Sequence, residues 1–158
     1  MALLEKLVRA SFGHEPVDRD DQAHTRNQAG EPAFWFGHGL GYSTWEYSKA
    51  TVVADDDDLG VEVTVTNTGD RPSREVVQLY FQPAESDQPV RLVGWQPVTA
   101  EPGESATVTV TADRRMWRRW DTAANAWAQL SGDGRLLIAR GLGDVRAQLQ
   151  VGAAAAAD

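Results

Sequence analysis

The sequence predicts an all-β sandwich of about seven short strands. Apolar and polar residues alternate over 59–66 and 106–111, which is the period of strands with one buried face. Turn sequences such as those at 67–70 and 101–104 recur roughly every 8 to 12 residues, and no helical pattern lies between them. Because a strand buries only one row of side chains, two sheets must face each other to make a core.

The two ends of the chain differ from this middle region. Apolar residues recur at helical spacing over residues 2–10, which form either a short amphipathic helix or a leader without a role. Residues 13–30 are polar and lack apolar periodicity, as is typical of a linker. The predicted organisation is therefore an N-terminal arm at 1–30, a sandwich at 31–152 and a disordered, low-complexity tail at 153–158.

A cluster of aromatic residues opens the sandwich region. Gly37, Gly39 and Gly41 interrupt this cluster, and three glycines in five positions let the backbone turn tightly. Large aromatic side chains beside such a turn are poorly suited to standing alone in water. We therefore expect an interaction surface made of Phe34, Trp35, Phe36, His38, Tyr42 and Trp45.

The same alternation predicts further strands at 75–81, 91–98, 135–140 and 145–151. The strand at 75–81 carries apolar side chains on both faces, which indicates a central position in its sheet. In the strand at 91–98, Leu92 and Trp95 are expected to face inward. Between the strands, residues 113–121 form a tight, arginine-rich segment.

Charge and composition exclude several classes of function. A formal net charge of -8 argues against nucleic acid and anionic lipid as partners. The absence of cysteine excludes disulfides, thiol nucleophiles and cysteine-based zinc sites. The first ten residues lack the apolar run of a signal peptide, and no stretch approaches the ~20 apolar residues of a membrane span. We expect a soluble, cytoplasmic protein, or a secreted one if it is part of a larger exported enzyme.

The residues show no pattern that would support catalysis within this chain. The four aspartates at 55–58 suggest either calcium binding or a solvated loop tip, and the loop is favoured because EF-hand spacing is absent. His14, His24 and His38 do not have the spacing of metal ligands. Phosphate-binding, dinucleotide-binding and Ser-His-Asp patterns are also absent. We predict no catalytic residue, no metal and no cofactor.

Several blocks resemble the C-terminal fibronectin type III-like domain of glycoside hydrolase family 3, which includes β-glucosidases and β-xylosidases. Phe36-Gly-His-Gly-Leu-Gly-Tyr-Ser-Thr-Trp-Glu-Tyr-Ser48 is similar to the Phe-Gly-His-Gly-Leu-Ser-Tyr-Thr-x-Phe-x-Tyr-Ser signature that opens this domain. Further similar blocks follow in the family's order at 63–71, 75–80, 89–95 and 101–105.

The resemblance implies an immunoglobulin/fibronectin type III-like sandwich with a structural role. In such enzymes the nucleophilic Asp lies in an N-terminal barrel and the acid/base Glu usually lies in a middle domain, and neither residue can be carried over to this chain. The implied function is a non-catalytic module that stabilises or docks on the catalytic domains of a family 3 glycosidase, supplied by a separate chain or missing from this one. The aromatic cluster would make that contact.

The alternative is an independent carbohydrate-binding or protein-binding sandwich. In this interpretation exposed tryptophans act as stacking platforms for sugar rings, and the candidates are Trp117, Trp120 and Trp127. We favour docking because the aromatic cluster beside the glycine turns needs a surface on which to pack.

Overall fold

Residues 32–55, 58–84, 88–130 and 134–151 are described by a computed structural model of the protein. Within these residues the strands are β1 (Trp45–Asp55), β2 (Asp58–Asn67), β3 (Ser73–Pro83), β4 (Arg91–Ala100), β5 (Ser105–Ala112), β6 (Arg118–Asp121), β7 (Ala126–Gln129), β8 (Gly134–Gly141) and β9 (Asp144–Val151). A short 3-10 helix, Arg114–Trp117, precedes β6. The helix expected at 2–10, the whole of the predicted arm and the predicted tail lie outside the described residues.

Seven of the strands form two antiparallel sheets. One sheet has the order β1-β2-β5 and the other has the order β4-β3-β8-β9, while β6 and β7 form a separate hairpin. A three-stranded sheet on a four-stranded sheet is an immunoglobulin-like arrangement. The predicted all-β sandwich is therefore confirmed, and β3 has the central position that its two apolar faces indicated. No helix in the described residues is long and apolar enough to cross a membrane.

The main core lies between the two sheets. Alternate residues of β2 and β3 point into it, and they are buried together with residues of β5 and β8: Val61, Val63, Val65, Val77, Leu79, Phe81, Val110, Leu136 and Ile138. The β-branched side chains that gave the sequence its alternation thus form the inner face of each sheet.

A second, smaller core covers the outer face of the four-stranded sheet. Its buried members are Tyr80, Val90, Leu137, Ala139 and Leu142, and Trp35, Leu92 and Val145 pack against them. This cluster explains why β3 and β8 are apolar on both faces: the segment before β1 covers the side of the sheet that would otherwise face water.

The orientation of β4 differs from the prediction. Trp95 is 63% exposed, whereas Val93 and Val98 are buried in the main core. Leu79 pairs with Gly94 and Tyr80 pairs with Leu92, so Val93 is an extra residue in β4. A β-bulge of this kind exchanges the faces of the strand. The inward assignment of Trp95 was therefore wrong, and Leu92 packs in the second core.

Asn67, at the end of β2, connects the two sheets. Its side chain is fully buried, and Nδ2 donates to the carbonyl oxygens of Arg71 at 2.8 Å and Ala100 at 2.9 Å. Its Oδ1 accepts from the Gly69 amide at 3.0 Å and from the Ser43 hydroxyl. Because Ala100 ends β4 in the opposite sheet, one amide group holds this end of the sandwich together.

Candidate interaction surfaces

Residues 34–42 form a loop, here called the aromatic loop, at the end of the sandwich where β1 begins and β8 ends. Trp35 anchors it by packing on the turn between β8 and β9. A Cβ atom added to Gly143 would lie 2.3 Å from Cδ1 of Trp35, so only glycine leaves room for the indole ring. The ring also packs against the second core, beside Leu142 and Val145.

Backbone hydrogen bonds fix the loop on the sheet. The Leu142 amide donates to the Phe36 carbonyl at 3.0 Å, and the His38 amide donates to the Trp35 carbonyl at 2.9 Å. Gly37 has a φ of 77°, in the left-handed region that favours glycine. The predicted tight turn is thus present, with its position set by the β8–β9 turn.

Gln78 and Tyr80, on the outer face of β3, bind the backbone of the loop from the side of the sheet. The Gln78 side-chain amide donates to the carbonyl oxygens of Gly37 at 3.0 Å and Arg140 at 2.6 Å. The Tyr80 hydroxyl donates to Oε1 of Gln78 and lies 3.4 Å from the Phe36 carbonyl. Burial raises the pKa of Tyr80, so its hydroxyl keeps the proton that it donates.

A partly buried charge cluster lies beside this network. Nε of Arg140 and Oε2 of Glu75 are 2.8 Å apart, at an angle that does not meet hydrogen-bond geometry, so the contact is a charge pair. Burial raises the pKa of Glu75, although the Val76 amide and Arg140 act in the opposite direction. The nearby Tyr47 hydroxyl is buried without a partner among the described residues, and burial raises its pKa.

The outer side of the aromatic loop presents large apolar side chains to solvent. The exposed fractions are 72% for Phe34, 93% for Leu40 and 88% for Tyr42, and Phe36 is also exposed. The Phe34 ring lies 5.2 Å from the His38 ring. A groove of about 370 Å³ beside them is lined by residues that include Trp35, His38, Arg140 and Asp144.

Two tryptophans assigned to surfaces from the sequence are core residues instead. Trp45, predicted to dock, is 4% exposed and lies in the main core. Trp117, predicted to stack on sugar, is also 4% exposed, and its ring stacks on Phe81 with centroids 4.4 Å apart. Both assignments are corrected, because a side chain that completes the core offers no surface to a ligand.

The other two predicted stacking residues are exposed. Trp120 and Trp127 pair across the β6–β7 hairpin, with exposed fractions of 47% and 63%. Their rings are arranged edge to face, with centroids 5.6 Å apart. The hairpin lies at the end of the sandwich where β5 ends and β8 begins, so the two aromatic surfaces are at opposite ends of the domain.

In the part of the chain that the structure describes, no group of three or more His, Asp or Glu side chains converges. Of the aspartate-rich turn, Asp56 and Asp57 lie outside the described residues.

Comparison with known proteins agrees with this architecture. Residues 75–141 match the Fn3-like family, the fibronectin type III-like domain. Thermostable β-glucosidase B of Acetivibrio thermocellus is 38% identical over 73% of this chain and 16% of its own length. Probable β-glucosidase I of Aspergillus clavatus is 39% identical over 72% of this chain and 15% of its own.

Solved structures show the same relationship. The β-glucosidase DesR from Streptomyces venezuelae, in complex with D-glucose, is 36% identical and superposes with a TM-score of 0.72 over 78% of this chain and 16% of that chain. A family GH3 β-glucosidase of Bifidobacterium adolescentis is 30% identical, with a TM-score of 0.70 over 78% of this chain and 19% of that chain.

The sandwich is a fibronectin type III-like accessory module, as the sequence predicted. It belongs with the fibronectin type III-like domains of family 3 β-glucosidases. The chain spans about one sixth of the length of the first relatives it matches, and the matching segment is a non-catalytic portion of them.

Sequence reasoning missed the residues that hold the aromatic loop in place. Gln78 and Tyr80 were recognised only as the second face of a central strand, and Arg140 and Leu40 were not singled out. A glutamine between two apolar residues on that face was the available signal, because a polar side chain on a covered face needs hydrogen-bond partners.

Proposed function

We propose that this module docks on the catalytic domains of a family 3 glycosidase and stabilises them, without taking part in the chemistry. The aromatic loop is the contact surface in this proposal. The residues that make the contact are Phe34, Phe36, His38, Leu40 and Tyr42, which are all exposed, while Trp35 anchors the loop on the sandwich. The observation that carries the proposal is the exposure of large apolar side chains on a loop that the sandwich holds in a fixed conformation.

The energetics favour a partner for this surface. Burying a large apolar side chain contributes about 1.5–3 kcal/mol, and monomeric proteins rarely expose such side chains together. Four of them lie within nine residues of the chain, between Phe34 and Tyr42. An interface that covered them would therefore gain several times the energy of one side chain, less the entropy lost on association.

The supporting network lowers the cost of docking. Gln78, Tyr80 and the Leu142 amide hold the backbone of the loop before any partner arrives. A surface that is already ordered loses less conformational entropy when it binds. Docking would in turn rigidify a neighbouring domain, which is the structural role proposed here.

The proposal extends to the reaction that the module and the catalytic domains would carry out together. The relatives are β-glucosidases, and we propose that the assembled enzyme acts on β-glucosides with catalytic carboxylates supplied by the other domains. Retaining hydrolysis needs two carboxyl groups about 5–5.5 Å apart around the scissile bond. The module would share the compartment of that enzyme, which we propose to be the cytoplasm.

Docking can be tested with a relative from which the matching segment has been removed. The 158-residue chain is added to the truncated β-glucosidase of Streptomyces venezuelae, and the readouts are co-elution, melting temperature and hydrolysis of a nitrophenyl β-glucoside. We expect a complex and a higher melting temperature, and we expect the double variant Phe34→Ser/Tyr42→Ser to lose both.

Trp127→Ser is the matched control, because it removes an exposed aromatic side chain at the opposite end of the sandwich. Equal losses with this control and with the double variant would show that the aromatic loop is not the interface. Turnover by the 158-residue chain alone, above the uncatalysed rate, would contradict a non-catalytic role.

The alternative function, an independent binding module, is favoured by a different observation. The exposed pair of Trp120 and Trp127 lies at the opposite end of the sandwich from the aromatic loop.

A further inference from the structure

The β6–β7 hairpin presents an aromatic surface of its own. Trp120 and Trp127 are directly opposite each other in the register, so both side chains project from the same face. Their edge-to-face contact stabilises the hairpin by about 0.5–1.5 kcal/mol. This contact leaves roughly half or more of each side chain in water, which a purely structural role does not require.

A positive charge lies on the same face. Arg118 precedes Trp120 by two positions in β6, and successive side chains of a strand alternate between faces, so the arginine and both indoles share one surface. The Arg118 side chain is exposed, and its backbone carbonyl accepts a 2.8 Å hydrogen bond from Nη1 of Arg91. That bond connects the hairpin to β4 and limits its movement relative to the sandwich.

The surrounding segment is basic in an acidic protein. Residues 113–121 contain four arginines and two aspartates, whereas the whole chain has a formal net charge of -8. One of these arginines, Arg115, is paired with Asp113 at 2.8 Å. The hairpin itself, residues 118–129, holds Arg118 and Arg119 against one aspartate, Asp121. It is thus a local site of positive charge that would attract a negatively charged ligand.

We propose that this face binds an acidic polysaccharide, a glycan chain with uronic-acid units. The flat indole rings pack against the C–H faces of the sugar rings, and the Arg118 guanidinium pairs with a uronate carboxylate through a charge-assisted hydrogen bond. The choice of a glycan among anionic ligands rests on the proposed function. The aromatic and basic surface does not depend on that function.

Charge density favours a uronate-containing glycan over nucleic acid as the ligand of this face. Single-stranded nucleic acid also stacks on aromatic side chains and is attracted to arginine. It carries a charge at every nucleotide and would bring many negative charges near a chain of net charge -8. A uronate chain of low charge density reaches Arg118 with less repulsion from the rest of the domain.

Affinity electrophoresis of the 158-residue chain tests the proposal. Gels contain polygalacturonate with most of its carboxyl groups methyl-esterified, so that its charge density is low, the neutral β-glucan laminarin, dextran sulfate or no polymer, and oligothymidylate is titrated separately by fluorescence anisotropy. We expect retardation by polygalacturonate that weakens as salt is added. The variant Trp120→Ala/Trp127→Ala should bind at least about tenfold more weakly, a loss of about 1.4 kcal/mol.

Two further variants keep the test decisive if the double variant disturbs the hairpin. Arg118→Gln keeps both rings and should reduce the retardation and its dependence on salt. Phe34→Ser, at the opposite end, should bind polygalacturonate as the unmodified chain does. Because we expect Phe34→Ser to weaken docking and to leave glycan binding unchanged, failure of one proposal is distinguishable from failure of the other.

Four outcomes would overturn the proposal. The first is no retardation by polygalacturonate, and the second is equal, salt-insensitive retardation by laminarin. The third is equal binding of dextran sulfate or oligothymidylate, which would indicate a general polyanion site. The fourth is unchanged binding by both the tryptophan double variant and Arg118→Gln.

Discussion

The side-chain amide of Gln78 donates a 3.0 Å hydrogen bond to the carbonyl oxygen of Gly37, from the central strand to the aromatic loop. The same amide also bonds to the Arg140 carbonyl at 2.6 Å. A single side chain thus connects β3 to β8 and to the exposed surface that we propose as the docking site. The recognisable 75–80 block has a specific structural task, which is to hold that surface.

Replacing Gln78 by alanine should destabilise the domain and loosen the loop. Two carbonyl oxygens and the Tyr80 hydroxyl would lose a partner, at a cost of about 1–3 kcal/mol in the free energy of unfolding. Urea unfolding measures the cost, and hydrogen exchange at the His38 amide reports on the loop. Gln96→Ala, at an exposed position of β4, is the control and should change stability by less than about 0.5 kcal/mol. A similar loss in both variants would contradict the assigned role of Gln78.

Trp117→Ala should be strongly destabilising, because its ring fills the core against Phe81. Removal of a buried tryptophan side chain costs about 3–5 kcal/mol. Trp127→Ala removes an equally large side chain from the surface, and we expect a loss of no more than about 1.5 kcal/mol, from the ring pair. Thermal and urea unfolding of the two variants make the comparison. If the two losses were equal, Trp117 would not have the core position described above.

Gly94→Ala should destabilise the contact between β4 and β5. A Cβ atom at Gly94 would lie 2.2 Å from the Thr111 carbonyl oxygen. That oxygen belongs to the backbone, which cannot move aside as easily as the end of a flexible side chain. We expect a loss of about 1–3 kcal/mol, typical of overpacking, measured by urea unfolding. Gly39→Ala is the control, because no atom lies within 4 Å of the added Cβ and the position has no left-handed φ. A neutral Gly94→Ala would show that the strands separate at little cost.

The contribution of Glu75 should depend on pH. Because burial raises its pKa in the folded state, the proton stabilises the fold at low pH, and this contribution is lost as pH rises above the ordinary value of 4.5 and through the folded-state pKa. The stability of the unmodified chain relative to Glu75→Gln should therefore be highest below about pH 4.5 and should fall as pH rises through the folded-state pKa. Urea unfolding at a series of pH values measures the difference, and Glu101→Gln, an exposed position, controls for one lost negative charge. A difference that grows with pH would mean that the Arg140 charge outweighs burial.

Much of the fold could be predicted from the sequence because alternation and turn chemistry are local. Residues 61, 63 and 65 indicated β2 directly, since every second side chain enters the core. β1 was not recognised. A register irregularity between Tyr47 and Lys49 interrupts its pairing with β2, and its exposed edge position weakens the alternation. The face of Trp95 was assigned wrongly for a related reason. The extra residue of a β-bulge shifts the alternation of side chains between the two faces, and the sequence pattern does not show where that shift occurs.

The candidate surfaces were only partly predictable, since burial of an aromatic residue depends on the whole fold. The sequence cannot distinguish Trp117, which stacks in the core, from Trp127, which lies at the surface ten positions later. Trp45 and Tyr42 differ in the same way, although they are three residues apart.

The glycine turn of the aromatic loop could be predicted from composition, because glycine allows a tight turn whatever surrounds it. The contacts of that loop with Gln78 and Gly143 could not be predicted. They join residues more than forty positions apart in the chain, and no local pattern carries such information.

The positions of the two aromatic surfaces have a mechanical consequence. Strands of eight to eleven residues separate them, which corresponds to roughly 30 Å at ~3.3 Å per residue. A rigid sandwich of that length would act as a spacer, with an enzyme body at one end and a polymer at the other. The separation between polymer and enzyme would then be set by the number of residues per strand, and lengthening or shortening the strands would change it.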